Sequence, residues 1–87
     1  MPWSVRYLDA ARRQFLDLPR HIRSHVDEKV RLLEETPFPA GCKKLRHSDD
    51  YYRIRVGQYR VIYQIDQPER VVRIMRIRHR KDVYRGL

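Results

Sequence analysis

The stretch YYRIRVGQYRVIYQID, residues 51–66, decides the fold. Its halves read as two strands joined at Gly57-Gln58, a Gly-X pair suited to a two-residue hairpin loop. That loop sets Val56 opposite Tyr59, Arg55 opposite Arg60, Ile54 opposite Val61 and Tyr52 opposite Tyr63. Side chains alternate along a strand, so this register sorts the hairpin into two faces. One carries Tyr52, Ile54, Val56, Tyr59, Val61, Tyr63 and Ile65 and is the core face. The other carries Tyr51, Arg53, Arg55, Arg60, Ile62 and Gln64. Like charges directly across a ladder destabilise it. The Arg55–Arg60 pair is therefore expected to face something anionic.

Upstream, Trp3 to Tyr7 alternates large apolar with polar residues and is expected to form a first strand. Asp9 offers an N-cap to a helix whose apolar face is Ala11, Phe15 and Leu18, and Pro19 ends that helix and can open the next. From Arg20 to Glu35, Ile22, Val26, Val30 and Leu33 recur at spacings of 4, 4 and 3, the face of a second helix. Two helices joined at a proline with almost no loop form an antiparallel hairpin. The breakers from Thr36 to Gly41 stop the second helix. Lys43 to His47 is then extended and basic, with Leu45 as its inward anchor, and Ser48-Asp49-Asp50 is a turn.

Downstream, Asp66 to Glu69 turns the chain and Arg70 to His79 makes a last strand. Its phase is open from sequence. Val72 and Ile74 suit the core if the turn pairs Tyr63 with Val72, whereas Met75 and Ile77 suit it only past a bulge near Ile74–Met75. Past such a bulge Arg76, Arg78 and Arg80 join Arg55 and Arg60. The expected fold is α+β, in the order β-α-α-β-β-β over a single domain, residues 1–87. It is an antiparallel sheet with the helical hairpin packed on one face and the arginines on the other.

The charge is uneven. The net charge is +9, and residues 1–42 hold 7 Lys and Arg against 6 Asp and Glu while residues 43–87 hold 13 against 5. A basic half on a small chain points to a polyanion or an acidic protein partner. Arginines outnumber lysines 16 to 4, and the guanidinium is the better fork for phosphate. Cys42 is the single cysteine, so no intrachain disulfide and no cysteine-based metal cluster is expected, and no cofactor. Met1 to Asp9 does not resemble a signal peptide, and no apolar run approaches the roughly 20 residues that span a bilayer. The expectation is a cytoplasmic protein with no membrane partner.

KLR at 44–46, YRIR at 52–55, G-x-YRVIY at 57–63 and HRKDVY at 79–84, in this order and spacing, resemble the RelE/ParE superfamily of bacterial toxins. These are the toxin halves of type II toxin–antitoxin systems, and the resemblance covers nearly the whole chain. It points to the RelE branch, whose members are endoribonucleases that cut messenger RNA in the ribosomal A site and so inhibit translation. It implies a microbial RNase fold with its site on the basic sheet face and no metal. The 2′-hydroxyl of one nucleotide attacks the adjacent phosphate, leaving a 2′,3′-cyclic phosphate and a free 5′-hydroxyl. It also implies a cognate antitoxin that wraps the toxin, with DNA contacted only indirectly, through the antitoxin.

Carried over by motif, Arg60 falls on the family's hairpin arginine, Arg80 on that of its C-terminal motif and Tyr84 on its terminal tyrosine. Arg60 and Arg80 would clamp the scissile phosphate and Tyr84 would stack on or orient a base. Arg53 and Arg55 fall where the family often has two lysines; arginine stabilises charge but is a poor general base. The base is then sought among histidines, whose ordinary pKa is near neutral. His79, beside Arg80, is the first candidate, with a strand-end packing role as its alternative; His47 reads as a loop residue and His21 and His25 as helix surface. Lys44 and Arg46, with Lys43, are expected to track RNA phosphates together with Arg53 and Arg78, with a solvated loop as the alternative. Two other functions fit the same chain: a ParE-like poison of DNA gyrase without RNase activity, and a basic RNA-binding module without catalysis.

Overall fold

The computed structural model describes residues 2–46 and 48–86. In chain order it contains β1 (Ser4–Tyr7), α1 (Asp9–Leu16), α2 (Arg20–Leu32), β2 (Lys43–Lys44), β3 (Tyr51–Val56), β4 (Tyr59–Asp66) and β5 (Val71–His79). The strands form one sheet in the order β1-β5-β4-β3-β2. The β3–β4 hairpin has the register read from sequence, including Arg55 opposite Arg60. Gly57 sits at φ 60 and Gln58 does not share the positive φ, which is the Gly-first, type II′ form of the two-residue loop.

Three of the four strand pairings are antiparallel as expected, but β1 runs parallel to β5, with Ser4 to Tyr7 alongside Val71 to Ile74. The sheet is therefore mixed. Turn chemistry sets direction only for strands joined by a short turn, and two helices separate β1 from the rest. Lys43–Lys44 is a further short strand, paired antiparallel to Arg53 and Tyr52, where only an extended segment was expected.

The phase of β5 is settled by a bulge. Tyr63 pairs with Ile74 but Ile62 pairs with Arg76, so Met75 is the extra residue. The β4–β5 turn places Val72 opposite Ile65, two residues from the Tyr63–Val72 pairing. A two-residue slip leaves each side chain on the same face.

The helices cover the face that carries Ile54, Val56, Val61, Tyr63 and Ile65. Ala11, Leu18, Val26, Val30 and Leu33 pack into the same core, joined by Trp3, Val72, Ile74 and Ile77. An eight-residue helix is marginal alone, so α1 depends on this contact, including an edge-on Tyr7–Phe15 pair at 5.7 Å. Leu8, not Asp9, is its N-cap residue, without a side-chain cap, and Asp9 lies inside the first turn. Pro19 takes the N-cap position of α2, which ends at Leu32 before a tight turn. Beyond the end of β1, Gln14 Oε1 accepts the Ile77 N–H at 2.8 Å and so occupies the edge of β5.

At the β4–β5 turn, Asp66 accepts the Glu69 N–H at 3.1 Å and holds Arg73 at 3.1 Å. Those two contacts, the Glu69 N–H first, hold its carboxyl below the ordinary 3.8. A depressed carboxylate stabilises the fold above its unfolded pKa, and that contribution is lost as pH falls through the folded value. Asp66→Asn is therefore expected to lower the melting temperature at neutral pH and to match the parent in strong acid. Thermal melts across the acid range check this.

Candidate functional site

Cross-strand neighbours share a face, so the register writes out the side of the sheet away from the helices. Arg55, Arg60 and Arg78 form one row across β3, β4 and β5 near the hairpin loop. Lys43, Arg53, Ile62 and Arg76 form the next row. Tyr51, Gln64, Arg73 and Arg6 form the third. The bulge at Met75 is what returns Arg76 and Arg78 to this face after Arg73. Rows two residues apart are about 7 Å apart.

The arginines of this face are in different states. Arg73 is engaged by Asp66. Arg76 donates through Nη1 to the carbonyls of Val83, at 2.9 Å, and Arg85, at 2.6 Å. Arg60 donates through Nη1 to the carbonyls of Gly57, at 3.0 Å, and Tyr59, at 2.9 Å. Both hydrogens on Nη1 are then used, and the Nε and Nη2 side of the fork stays free for an oxyanion. Burial first, then the like charges of Arg55, Arg53 and Arg80, pull the Arg60 pKa below its ordinary value, against an opposing effect of the Tyr84 phenol. Arginine keeps its proton regardless. An anion bound here relieves that repulsion, so its affinity is raised by the same crowding. Among the described residues, no ion pair holds Arg53, Arg55, Arg78 or Arg80. Arg53 is only 7% exposed despite its charge.

The C-terminal residues 80–86 fold back over this face. The Arg80 N–H reaches the Gln58 carbonyl at 2.8 Å, and Asp82 and Val83 N–H groups both turn back to the His79 carbonyl. Val83 and Ile62, at 0% and 1% exposed, are buried outside the main core. Arg76, the cross-strand neighbour of Ile62, bonds the Val83 carbonyl, which ties β5 to the turn. The face is thus partly covered by the C-terminal turn. An apolar residue at position 62 in an arginine face was the signal for a cover, and Val83 amid polar neighbours the signal for what supplies it.

Tyr84 follows Val83 and is exposed over a groove of about 710 Å³ between β2 and the C-terminal turn. Lys44, Arg46 and Arg53 also line this groove. The register nevertheless turns Lys44 toward the helix side, opposite Tyr52, and puts Lys43 on the arginine face. Leu45 is not a core anchor: its N–H bonds the Tyr51 carbonyl at 2.9 Å, which continues the β2–β3 ladder, and its side chain lines the groove.

Of the two readings of His79, the structure shows the strand-end packing one. His79 pairs with Tyr59, which places it on the helix side of the sheet, away from Arg60. Its ring meets the Tyr59 ring edge-on at 5.5 Å and its Nδ1 accepts the Lys81 N–H at 3.2 Å. The strand alternation that puts Arg78 on the arginine face carries His79 away from it. His21 and His25 are exposed on α2, and His47 lies outside the described residues. Among the described residues no group of three or more His, Cys, Asp or Glu is placed to hold a metal ion, and no helix is long and apolar enough to cross a membrane.

Comparison with known proteins gives a consistent set of likenesses. Residues 5–84 match the family model described as the ParE toxin of type II toxin–antitoxin systems. The chain is 36% identical over 86 residues to toxin RelG of Mycobacterium tuberculosis, covering 98% of this chain and 99% of that one. Among solved structures it is similar to the toxin–antitoxin complex RelBE2 of Mycobacterium tuberculosis, with a TM-score of 0.80, 33% identity and 91% and 99% of the two chains covered. It is also similar to the archaeal RelE–RelB complex of Pyrococcus horikoshii, with a TM-score of 0.82, 27% identity and 95% and 100% covered.

Proposed function

This chain belongs to the ParE toxin family of type II toxin–antitoxin systems, and from that premise we propose that it is a metal-independent endoribonuclease that cuts messenger RNA in the ribosomal A site. The observation that carries the reading is the crowding of Arg53, Arg55 and Arg80 around Arg60, with Tyr84 in electrostatic reach. Preorganised positive charge where negative charge develops is normally the largest catalytic contribution.

In the proposed step, the 2′-oxygen of one nucleotide bonds to the adjacent phosphorus and the bond to the 5′-oxygen breaks. The 2′-hydroxyl gives up its proton and the departing 5′-oxygen gains one, leaving a 2′,3′-cyclic phosphate and a 5′-hydroxyl. The free side of the Arg60 fork binds a non-bridging oxygen, and Arg55 and Arg80 hold the developing charge. Arg78, in the same row, and Arg53 hold flanking phosphates. Tyr84 orients a base, and Lys44 and Arg46 line the groove beside it. His79 has no part in this scheme, because it lies on the other side of the sheet. His79→Ala is expected to leave the cleavage rate within a few-fold of the parent in a translation-coupled RNA cleavage assay.

The partner in this reading is an antitoxin, as in the complexes that the solved relatives form. A chain of net charge +9 attracts an acidic wrapping segment by fast, salt-sensitive association. DNA is contacted only through that antitoxin, and the site of action is the cytoplasm, where ribosomes are.

The matching family model is described as a ParE toxin, which keeps a second reading in view: the ParE-like poison of DNA gyrase, acting through protein contact, that the sequence resemblance also allows. That reading leaves the arginine cluster without a role. Brief expression in a bacterium, followed by mapping of new 5′ ends on messenger RNA, separates the two. New ends inside translated codons are expected. Intact messages with arrested growth and damaged DNA would move the chain to the gyrase reading.

A further inference from the structure

Two arginines on this face each use one nitrogen on backbone carbonyls, and the place of those carbonyls separates their roles. The Arg60 acceptors, Gly57 and Tyr59, lie in its own hairpin. The Arg76 acceptors, Val83 and Arg85, lie 7 and 9 residues further on, in the C-terminal turn. Bonds within a hairpin hold the side chain that makes them. Bonds to another segment hold that segment as well, and a charged donor makes them roughly twice as strong as neutral ones.

Arg76 reaches the turn because of the bulge. Met75 is the extra residue of β5, and it sends Arg76 to the side of the sheet over which residues 80–86 fold. The first half of the turn has other anchors. The Arg80 N–H meets the Gln58 carbonyl, and the Asp82 and Val83 N–H groups meet the His79 carbonyl. From the Val83 carbonyl onward, the hydrogen bonds that join the turn to the strands, among the described residues, are the two that Arg76 makes. Arg85 also bonds back into the turn itself, through its N–H to the Asp82 carbonyl and its guanidinium to the Asp82 carboxylate at 3.4 Å. Tyr84 stands exposed between the two held carbonyls, so its place above the sheet is set by Arg76.

By its row, Arg76 would be counted as one more phosphate contact beside Arg53. Both hydrogens on its Nη1 are instead taken by the turn. We propose that Arg76 is a positioning residue of this site: it binds no phosphate and holds the C-terminal turn where Tyr84 meets an RNA clamped at Arg60. The consequence for cleavage rests on the ribonuclease reading, whereas the positioning itself does not.

Arg76→Ala is expected to slow translation-coupled cleavage about 10- to 100-fold, the upper figure being that for a geometry displaced by roughly 1 Å. A short single-stranded RNA with one 2′-deoxy nucleotide, which cannot be cut at that linkage, reads binding apart from cleavage. Affinity for it is expected to fall about 5-fold, the lower end for one aromatic contact to a base. The salt dependence should remain that of the parent, whereas losing a phosphate contact would reduce its slope by about 0.7. In a Tyr84→Ala background, Arg76→Ala is expected to add less than about 2-fold to either loss, because residues that act as one unit are not additive. Arg76→Lys, whose ammonium has donors for both carbonyls, should recover most of the rate and affinity. Arg76→Met, which keeps an apolar stem without the donors, takes the place of Arg76→Ala should that variant fail to fold. A reduced salt slope, a loss undiminished in the Tyr84→Ala background, or unchanged cleavage and affinity would each overturn the inference. A parent chain that does not bind the RNA would overturn it as well. Non-additive loss of affinity in a chain that never cuts messenger RNA would uphold the role of Arg76 and reject the nuclease. Cleavage with additive losses would do the reverse.

Discussion

Arg60→Ala is expected to reduce messenger RNA cleavage by about two to three orders of magnitude, the effect seen when one preorganised donor to a developing oxyanion is removed. The thermal transition should be preserved. The guanidinium lies off the core face, and its bonds to the Gly57 and Tyr59 carbonyls are local to its own hairpin. The variant also removes one of the crowded cations, so the remaining arginines repel one another less. A small gain in melting temperature alongside lost cleavage would be the signature of a site that trades stability for anion affinity. Arg60→Lys restores the charge but not the two-pronged geometry, and is expected to recover little. Unchanged cleavage in Arg60→Ala would remove Arg60 from the mechanism. A lost thermal transition would show that Arg60 serves the fold instead.

Tyr63→Ala is expected to cost about 3–5 kcal/mol of stability, the range for deleting a large aromatic from a packed core. Tyr63 is 0% exposed and sits at the centre of the sheet, paired with Tyr52 on one side and Ile74 on the other. Its ring stacks on Tyr52 at 6.1 Å, and its hydroxyl donates to the Pro37 carbonyl at 2.8 Å. That bond fastens the loop after α2 to the sheet. Burial, followed by the neighbouring Cys42 and Tyr52 groups, raises the Tyr63 pKa well above the ordinary value. For a chain of this size each kcal/mol moves the melting temperature by roughly 4–8 °C, so the variant should be largely unfolded at growth temperature. Tyr63→Phe keeps the ring and isolates the hydroxyl. It leaves the buried Pro37 carbonyl without that donor and should cost about 1–3 kcal/mol. Denaturant melts of the two variants separate packing from the hydrogen bond; equal losses would show that the ring contributes little.

The hairpin and the face of each of its residues were legible in the sequence because the signals there are local. A two-residue Gly-X loop fixes the register, and strand alternation then assigns every side chain from Tyr51 to Ile65 without knowledge of the rest. The same holds for the helix faces, where Val26, Val30 and Leu33 recur at helical spacing and are buried. Arg55 and Arg60 could be placed on one face by this reasoning, and Arg78 joined them only under the bulged one of the two phases that the sequence left open for β5.

Several features were not legible because they depend on contacts between distant segments. The parallel alignment of β1 with β5 follows from which sheet edge is left free, and no turn encodes it. His79 was read from its neighbour Arg80, but chain adjacency is not spatial adjacency on a strand, and one residue of alternation separates the two faces. The Arg76 clamp joins a strand to the turn that follows it, and its acceptors are backbone carbonyls that any residue would supply, so the sequence holds no mark of it. By itself, the sequence determined the α+β layout, the basic face and the arginines on it, since period and charge are properties of short windows. Only the tertiary structure decided which arginines are engaged, that His79 lies on the helix side of the sheet and that Tyr84 is brought against the β2–β3 edge. Those outcomes depend on where the C-terminal turn comes to rest, which is set by burial of Val83 and by two carbonyls held on one guanidinium.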